Sequence, residues 1–268
     1  MRVAVIGAGG RMGKALVSAI DENPRTRLTA ALERRSHPLL GRDSGETAGT
    51  GKNGVKITWS VKRAALRCDV FIDFSSHESS IEHIEEIAAS GRPVVIGTTG
   101  FSHHQRERIK ELSFDIPIVI APNMSVGVNL LLRLVRDAAR VLSDDYDIEI
   151  VEAHHRHKKD APSGTALRLA EVIASTLGRD LDETAVYARK GIIGERTREE
   201  IGIQSLRGGD IVGDHTVLFA GPGERIELTH RAHSRNTFAT GAVKAAVWVS
   251  DKGKGLYDMQ DVLELNDD

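Results

Sequence analysis

Cysteine is nearly absent from this chain: Cys68 is the only one among 268 residues. A single cysteine excludes an internal disulfide and any metal site that needs several thiolates, and it is typical of a reducing compartment. Proline and serine are not in excess either, so the composition predicts a globular protein without long disordered segments. The length allows one large domain or two moderate ones.

The sequence also lacks long apolar runs and a strong net charge. No stretch approaches the roughly 20 consecutive apolar residues of a transmembrane helix, and the apolar start of the chain is too short for a signal peptide. A formal net charge of -2 gives no general attraction to nucleic acids or membranes. We therefore expect a cytoplasmic protein with no nucleic-acid partner and no membrane partner.

What the sequence does contain, at its start, is a glycine-rich turn. Residues 3–6 form an apolar run typical of a buried parallel strand, and helical spacing of apolar residues begins at Met12. Between them lie Gly7, Gly9, Gly10 and Gly13. A strand, a glycine turn and a helix in this order predict a dinucleotide site, with the phosphates on the helix N-terminus. A plain structural turn is the alternative.

The second predicted strand ends on an acidic residue. Glu33 lies 20 positions after Gly13, where an acid can hydrogen-bond the ribose hydroxyls of NAD. Arg34 follows it, and an arginine there can pair with the 2′-phosphate of NADP. The two signals conflict, so we expect NADH, NADPH or both. Arg35 is interpreted as a solvated loop residue.

Strands and helices continue to alternate up to about residue 126, which predicts a Rossmann-type, doubly wound parallel sheet. Ligands bind at the carboxyl ends of such strands. Three of these ends carry Phe74-Ser75, Gly97-Thr98-Thr99 and Pro122-Asn123, which include small polar residues. They suit the nicotinamide carboxamide and ribose, although turn chemistry alone would also explain them.

The alternation of strands and helices ends after residue 126. Residues 201–206, 211–220 and 225–233 read as strands joined by tight turns, without intervening helices. We therefore expect an α/β protein with a second, α+β domain whose sheet is mixed and mostly antiparallel. The predicted dinucleotide-binding domain comprises residues 1–126 and 236–268, and residues 127–235 form a substrate-binding and oligomerisation domain. One helix layer would leave a face of the second sheet uncovered, which favours oligomerisation.

A cationic stretch lies in this second domain. Three histidines and two lysines fall within residues 154–159, and a predicted helix start follows at Ser163. Lys158 or His154 can supply the proton that hydride transfer requires. The amides of Gly164 and Thr165, with the hydroxyls of Ser163 and Thr165, would hold a carboxylate at the helix N-terminus. The expected substrate is a small di-acid reduced by NAD(P)H.

Other interpretations of the same stretch remain. A histidine cluster can bind zinc, but no cysteine joins this one, so we expect no metal. The stretch could bind an anion without catalysis. The whole chain could be another two-domain NAD(P)-dependent dehydrogenase of a small di-acid or amino acid, or a non-catalytic dinucleotide sensor.

The cationic stretch resembles the signature of a known family. Residues 152–158 read Glu-Ala-His-His-Arg-His-Lys, and residues 160–165 read Asp-Ala-Pro-Ser-Gly-Thr. This combination is similar to that of the 4-hydroxy-tetrahydrodipicolinate (dihydrodipicolinate) reductases. Residues 7–13, 97–101, 122–127 and 207–210 match the family's other motifs in order, so the resemblance spans nearly the whole chain.

The resemblance implies an activity. It is the NAD(P)H-dependent reduction of (2S,4S)-4-hydroxy-2,3,4,5-tetrahydrodipicolinate to tetrahydrodipicolinate with loss of water, in the diaminopimelate route to lysine. It further implies a homotetramer built through the sheet of the second domain. His154 would be the proton donor or acceptor and Lys158 the proton donor, while His155, Gly164 and Thr165 would bind the substrate carboxylate.

The resemblance also implies a set of cofactor contacts. These are Gly7, Ala8, Gly9, Gly10, Arg11, Met12, Glu33, Gly97, Thr98, Thr99, Ala121, Pro122, Asn123 and Met124, with Arg34 at the phosphate of NADP. The chain departs from the family at Met124, where many members have phenylalanine. We expect this to change packing near the nicotinamide and to leave the roles intact.

Overall fold

The computed structural model of the chain describes residues 1–266. It divides into two compact units. Unit 1 comprises Met1–Val126 and the C-terminal segment from Arg235, and unit 2 is Gly127–Ser234. The chain thus leaves the first unit and returns to it.

Strands and helices alternate along the first half of the chain. In order they are β1 (Arg2–Ile6), α1 (Arg11–Glu22), β2 (Arg27–Leu32), α2 (Ser44–Ala48), β3 (Ile57–Thr58), α3 (Val61–Ala65), β4 (Val70–Asp73), α4 (His77–Ala88), β5 (Val94–Ile96), α5 (His103–Leu112) and β6 (Pro117–Ile120).

The second half of the chain contains longer strands. Its elements, in order, are α6 (Val126–Leu142), β7 (Asp147–His154), α7 (Gly164–Leu177), α8 (Leu181–Thr184), β8 (Ala185–Val186), β9 (Ile201–Arg207), β10 (Gly213–Gly221), β11 (Glu224–Ala232), α9 (Asn236–Val249), β12 (Gly255–Tyr257) and α10 (Met259–Val262). The last three belong to unit 1.

Unit 1 is built on a seven-stranded parallel sheet in the order β12-β6-β5-β4-β1-β2-β3. Its central strand β4 is buried at every position, as expected for a strand covered on both faces. One core lies between the sheet and helices α1 and α9, with Leu16 and Val243 at its centre. A second core lies against α3, α4 and α5, with Ile84 and Ile109. The predicted doubly wound sheet is confirmed.

Unit 2 holds a five-stranded mixed sheet in the order β11-β10-β7-β9-β8. The pairings of β10 with β11 and with β7 are antiparallel and join the longest strands. Those of β9 with β7 and with β8 are parallel. Leu131 of α6 and Leu169 of α7 pack on one face of the sheet with Phe219. The prediction of a second, α+β domain with a mixed sheet is confirmed.

Several short elements were not predicted from the sequence, among them α2, α3 and β12. Helix α2 lies between β2 and β3, helix α3 follows β3, and β12 extends the parallel sheet beyond β6. All are too short to show a hydrophobic period. Helix α2 is instead held by Asp43, whose Oδ1 accepts the amides of Gly45 and Glu46. Within residues 1–266, none of the helices combines the length and apolar character that a membrane span needs.

Gly241 provides a test of the packing of α9. A methyl group at this buried glycine would collide with the backbone carbonyl of Met124. We expect Gly241→Ala to lower the free energy of unfolding by about 2 kcal/mol, because a backbone clash of this kind outweighs the gain of about 1 kcal/mol in helix propensity. Urea unfolding would measure the change. Gly253→Ala is the control, since its methyl group meets no atom within 4 Å. Equal stabilities would contradict the packing described here.

Candidate active site

The turn after β1 presents backbone amides at the start of α1. Gly7 has a φ of +79°, a left-handed conformation that favours glycine. The Gly10 amide donates to the Gly7 carbonyl over 3.0 Å and closes the turn. A side chain at Gly13 would collide with the backbone of Gly7 and Ala8, so helix and strand approach this closely only with glycine there. Arg11 is exposed beside the exposed Gly10, at the end of the helix where an anion is favoured.

The acidic residue after β2 folds back onto this turn. Glu33 Oε1 accepts a hydrogen bond from the Gly9 amide over 2.9 Å, and Glu33 Oε2 lies 3.9 Å from His37 Nε2. A cleft runs along this part of unit 1. Among the predicted cofactor residues it is lined by Gly7, Gly10, Glu33 and Arg34. The structure therefore brings together the glycine turn and the acid–arginine pair.

The residues after β5 differ in their surroundings. Thr98 is buried, and its hydroxyl accepts from the Ser75 amide and from the Ser80 hydroxyl, both over 3.1 Å. This network ties the loop after β4 to the loop after β5. Thr99 is exposed. A side chain at Gly97 would overlap the ring of Phe74, so glycine is required by packing as well as by any ligand.

The segment after β6 is partly core. Ala121 and Met124 are buried, and both belong to the core beneath α9. Pro122 is exposed, and Asn123 Oδ1 accepts from the Ser125 amide over 2.9 Å. Met124 itself is 1% exposed, so its side chain contributes to the packing of unit 1. Met12 also packs against this core.

In unit 2, the buried carboxylate of Glu152 organises the end of β7. It is 0% exposed and accepts a hydrogen bond of 2.8 Å from each terminal nitrogen of Arg207. The Ser163 amide donates to Oε1 over 3.1 Å, and His154 Nδ1 lies 2.6 Å from Oε2. Burial would raise the pKa of this carboxyl, but hydrogen bonds from Arg207 and His154 outweigh it and lower the pKa to about 2.

His154 is held by this carboxylate with one ring nitrogen available. Ionised Glu152 can only accept hydrogen bonds, so His154 Nδ1 donates and Nε2 of the neutral ring carries no proton. Burial lowers the pKa of His154, and the adjacent carboxylate offsets this only in part. A side chain at Gly213 would lie 3.0 Å from Nε2. The glycine therefore leaves room at the atom that can take up a proton.

Ser163 precedes α7 and caps it. Its hydroxyl accepts from the Ala166 amide over 3.2 Å and lies 3.0 Å from His215 Nε2. His215 is buried, and this burial lowers its pKa to about 4. Its ring meets the ring of His154 edge-on, with centroids 5.2 Å apart.

The remaining predicted residues of unit 2 lie around this group. The Lys158 ammonium donates to both oxygens of Asp160, over 2.8 and 3.0 Å, with its side chain 19% exposed. His155 lies next to the strand end, and the Lys158 amide donates to the His155 carbonyl. Gly164 and Thr165 are the first two residues of α7. The Glu152 carboxylate connects the predicted proton donor or acceptor His154 to the start of α7, through His154 Nδ1 and the Ser163 amide.

Sequence reasoning missed three members of this group: Glu152, Arg207 and His215. Sheet register explains their positions, since Glu152 pairs with His215 on β10 and His154 pairs with Arg207 on β9. Strand β7 extends to His154, so His154 is a strand residue. The alternation of Glu152 and His154 on one face was the available signal.

In the part of the chain that the structure describes, no group of three or more His, Cys, Asp or Glu side chains is arranged so that it could hold a metal ion. This agrees with the composition of the group around Glu152, whose carboxylate is fully engaged by donors.

Comparison with known proteins decides the family. The family models "Dihydrodipicolinate reductase, N-terminus" and "Dihydrodipicolinate reductase, C-terminus" match residues 1–124 and 127–263. The chain belongs to the dihydrodipicolinate reductase family. It is 53% identical over 263 residues to a 4-hydroxy-tetrahydrodipicolinate reductase of Syntrophus aciditrophicus, covering 98% of each chain. It is 55% identical over 264 residues to one of Hahella chejuensis, covering 98% of this chain and 99% of the relative.

Solved structures agree with this assignment. A dipicolinate-bound dihydrodipicolinate reductase from Paenisporosarcina sp. TG-14 is 25% identical, with a TM-score of 0.78 over 97% of this chain and 98% of its own. A probable dehydrogenase from Thermotoga maritima, 12% identical with a TM-score of 0.64, covers 99% of this chain and 93% of its own and shares the fold alone. As a dihydrodipicolinate reductase family member, the chain is an oxidoreductase of lysine biosynthesis with a nicotinamide dinucleotide cofactor.

The buried His215 predicts how stability depends on pH. Its pKa is lowered to about 4 in the folded chain, against about 6.5 when unfolded. The unfolded chain therefore binds more protons between these values, and stability is lost as pH falls through this window. We expect the free energy of unfolding at pH 5 to be about 2 kcal/mol lower than at pH 7 through His215 alone.

Urea unfolding of His215→Gln at the two pH values checks this. The variant should lose that share of the pH dependence, whereas His157→Gln, at an exposed position, should retain it. The same slope in all three proteins would show that His215 is not the titrating group.

Proposed function

We propose that this chain reduces (2S,4S)-4-hydroxy-2,3,4,5-tetrahydrodipicolinate to tetrahydrodipicolinate, with loss of water, at the end of β7. The observation that carries the proposal is the arrangement around Glu152. It places His154 with a free Nε2, and it contacts Ser163 at the start of α7. The dipicolinate bound to the relative from Paenisporosarcina is a cyclic di-acid of the same kind.

The residues of unit 1 fit a dinucleotide. A left-handed glycine, an exposed helix start and an acid beside the turn are the features that a pyrophosphate and an adenosine ribose require. When bound, the cofactor supplies the hydride. Gly7 to Met12 would hold the pyrophosphate, and Gly97, Thr99 and residues 121–124 would hold the nicotinamide half.

Glu33 and Arg34 would decide between NADH and NADPH. Glu33 accepts from the Gly9 amide, so its carboxylate is oriented toward the turn where the ribose would lie. Arg34 lines the same cleft and can pair with a 2′-phosphate. We infer that the chain uses both cofactors, because an acid for the ribose and a cation for the phosphate stand side by side.

The substrate carboxylate would bind at the start of α7. The N-terminal amides of a helix favour anions, and Gly164 and Thr165 supply the first of them. His155 is the first residue after β7. Its Nδ1 is buried without a hydrogen-bond partner, which suits a role in binding a polar ligand.

Proton transfer would fall to His154 and Lys158. Hydride addition leaves an electron pair on the substrate that must take up a proton. Lys158 carries an ammonium group, held by Asp160, that can donate one. Neutral His154 can accept a proton at Nε2 and return it from the same atom, since Nδ1 is engaged by Glu152. The two groups thus divide donation and acceptance.

The outer face of the mixed sheet supports an oligomer. Val151 and Leu206 lie on the face opposite Phe219 and are each at least one-third exposed, and apolar faces of this kind are usually covered by another subunit. We infer a homotetramer formed through this face. We also infer a cytoplasmic location, as expected for an enzyme of amino-acid biosynthesis with a single buried cysteine.

Steady-state oxidation of NADH and NADPH tests the proposed activity. We expect both to be oxidised in the presence of the cyclic substrate. A simple 2-oxo acid should give no turnover. Turnover of a 2-oxo acid alone would identify a different dehydrogenase, and no oxidation with either substrate would favour a dinucleotide sensor.

Lys158 can be tested directly. We expect Lys158→Ala to lower kcat roughly 100-fold or more, because general acids contribute about 100- to 10,000-fold. Lys159→Ala removes a neighbouring, exposed lysine and should keep kcat close to that of the wild type. Near-normal turnover of Lys158→Ala would rule out the assigned role.

Arg34 predicts cofactor discrimination. We expect Arg34→Ala to raise the Kd for NADPH roughly 10-fold or more and the Kd for NADH little, because only NADPH has the 2′-phosphate. Fluorescence titration of each cofactor measures both constants. Arg25→Ala, at an exposed arginine between α1 and β2, controls for the loss of a positive charge. Equal weakening of the two cofactors by Arg34→Ala would refute the assignment.

A further inference from the structure

Two buried groups link His154 to the start of α7, and neither is a reactant in the proposed chemistry. Glu152 contacts His154 and the Ser163 amide through its two oxygens. His215 closes the other side, with Nε2 at 3.0 Å from the Ser163 hydroxyl and its ring edge-on to that of His154. We call Glu152, His154, Ser163 and His215 the Glu152 cluster.

We propose that Glu152 is the positioning residue that couples proton transfer to carboxylate binding, by fixing the tautomer of His154 and the place of Ser163 at once. The proposal rests on the proposed functions of these two residues. It adds that the orientations of His154 and Ser163 are not independent, because the same carboxylate contacts both. Arg207, on the neighbouring strand β9, holds that carboxylate in place.

The donor pattern around Glu152 makes the negative charge essential. Oε1 receives the Ser163 amide and one nitrogen of Arg207, and Oε2 receives His154 Nδ1 and the other nitrogen. A carboxylate accepts at both oxygens. An amide in the same place would set its NH2 group against two donors, whichever way it is turned. Glutamine is nearly the same size as glutamate, but its NH2 group makes it incompatible with the hydrogen bonds of the Glu152 cluster.

His154 would respond in a defined way to loss of this charge. The charged or titratable groups that face its ring are Glu152, Lys158, Arg207 and His215. Glu152 is the single anion among them, so it alone favours the protonated form of His154. Replacing it with a neutral group should shift proton uptake by His154 to lower pH.

Strand β7 offers a matched control at Glu149. This carboxylate is also paired with arginine, at 2.9 and 3.0 Å from the terminal nitrogens of Arg189. It lies an odd number of residues from Glu152, so its side chain points to the opposite face of the sheet. Glu149→Gln removes an arginine-paired carboxylate from the same strand without changing the Glu152 cluster.

The experiment compares Glu152→Gln and Glu149→Gln with the wild type. We expect Glu152→Gln to lower kcat roughly 100-fold and to raise the Kd of pyridine-2,6-dicarboxylate several-fold, with the Kd for NADH unchanged. In a plot of kcat against pH, the limb due to His154 is the one that disappears in His154→Asn. In Glu152→Gln this limb should move to lower pH. Glu149→Gln should keep the wild-type profile and the wild-type Kd for the di-acid.

Nitrogen NMR of ¹⁵N-labelled histidine supplies a readout that needs no turnover. The wild type should carry the His154 proton on Nδ1, and Glu152→Gln should move a large share of it to Nε2. If Glu152→Gln does not fold, Glu152→Asp takes its place, since a carboxylate shorter by one methylene group should also release Nδ1.

The outcomes separate two failures. If the wild type has no reductase activity, the proposed function fails, and the NMR comparison alone decides whether Glu152 sets the tautomer. If the wild type is active and a folded Glu152→Gln keeps its pH profile, its di-acid affinity and the Nδ1–H tautomer, the positioning role is overturned.

Discussion

The carboxylate of Glu152 is the constraint on which the candidate site depends. A fully buried charge is costly unless donors surround it. Here Arg207, His154 and the Ser163 amide supply four hydrogen bonds to its two oxygens. These donors come from β9, β7 and the start of α7. Satisfying one buried charge therefore fixes three separate pieces of the chain in one arrangement.

The mixed sheet of unit 2 makes this arrangement possible. Strand β7 runs parallel to β9 on one side and antiparallel to β10 on the other. That register places Arg207 beside His154 and His215 opposite Glu152. The cap of α7 then connects the sheet to the helix N-terminus that would hold a carboxylate. In unit 1 the corresponding device is the glycine turn, with Glu33 bound to the Gly9 amide.

Local patterns were enough to predict most of the fold and many candidate residues. Buried strands, a glycine turn in its proper context and the cationic stretch all leave a signal in consecutive residues. Short elements such as α2 and β12 do not: α2 is five residues long and is held by the Asp43 cap, and β12 is held by pairing with the distant β6. Arg207 and His215 lie more than 50 positions from His154 and reach it only through strand register, which one sequence does not reveal. The predicted roles of His154, Lys158 and Ser163 to Thr165 stay predictions.

A crystal structure with a bound dinucleotide and pyridine-2,6-dicarboxylate would test the account most directly. It predicts one carboxylate of the di-acid within hydrogen-bonding distance of the Gly164 and Thr165 amides, with His154 Nδ1 still on Glu152 and its Nε2 facing the ligand. A di-acid bound away from the start of α7, or a His154 ring turned so that Nδ1 leaves Glu152, would contradict it.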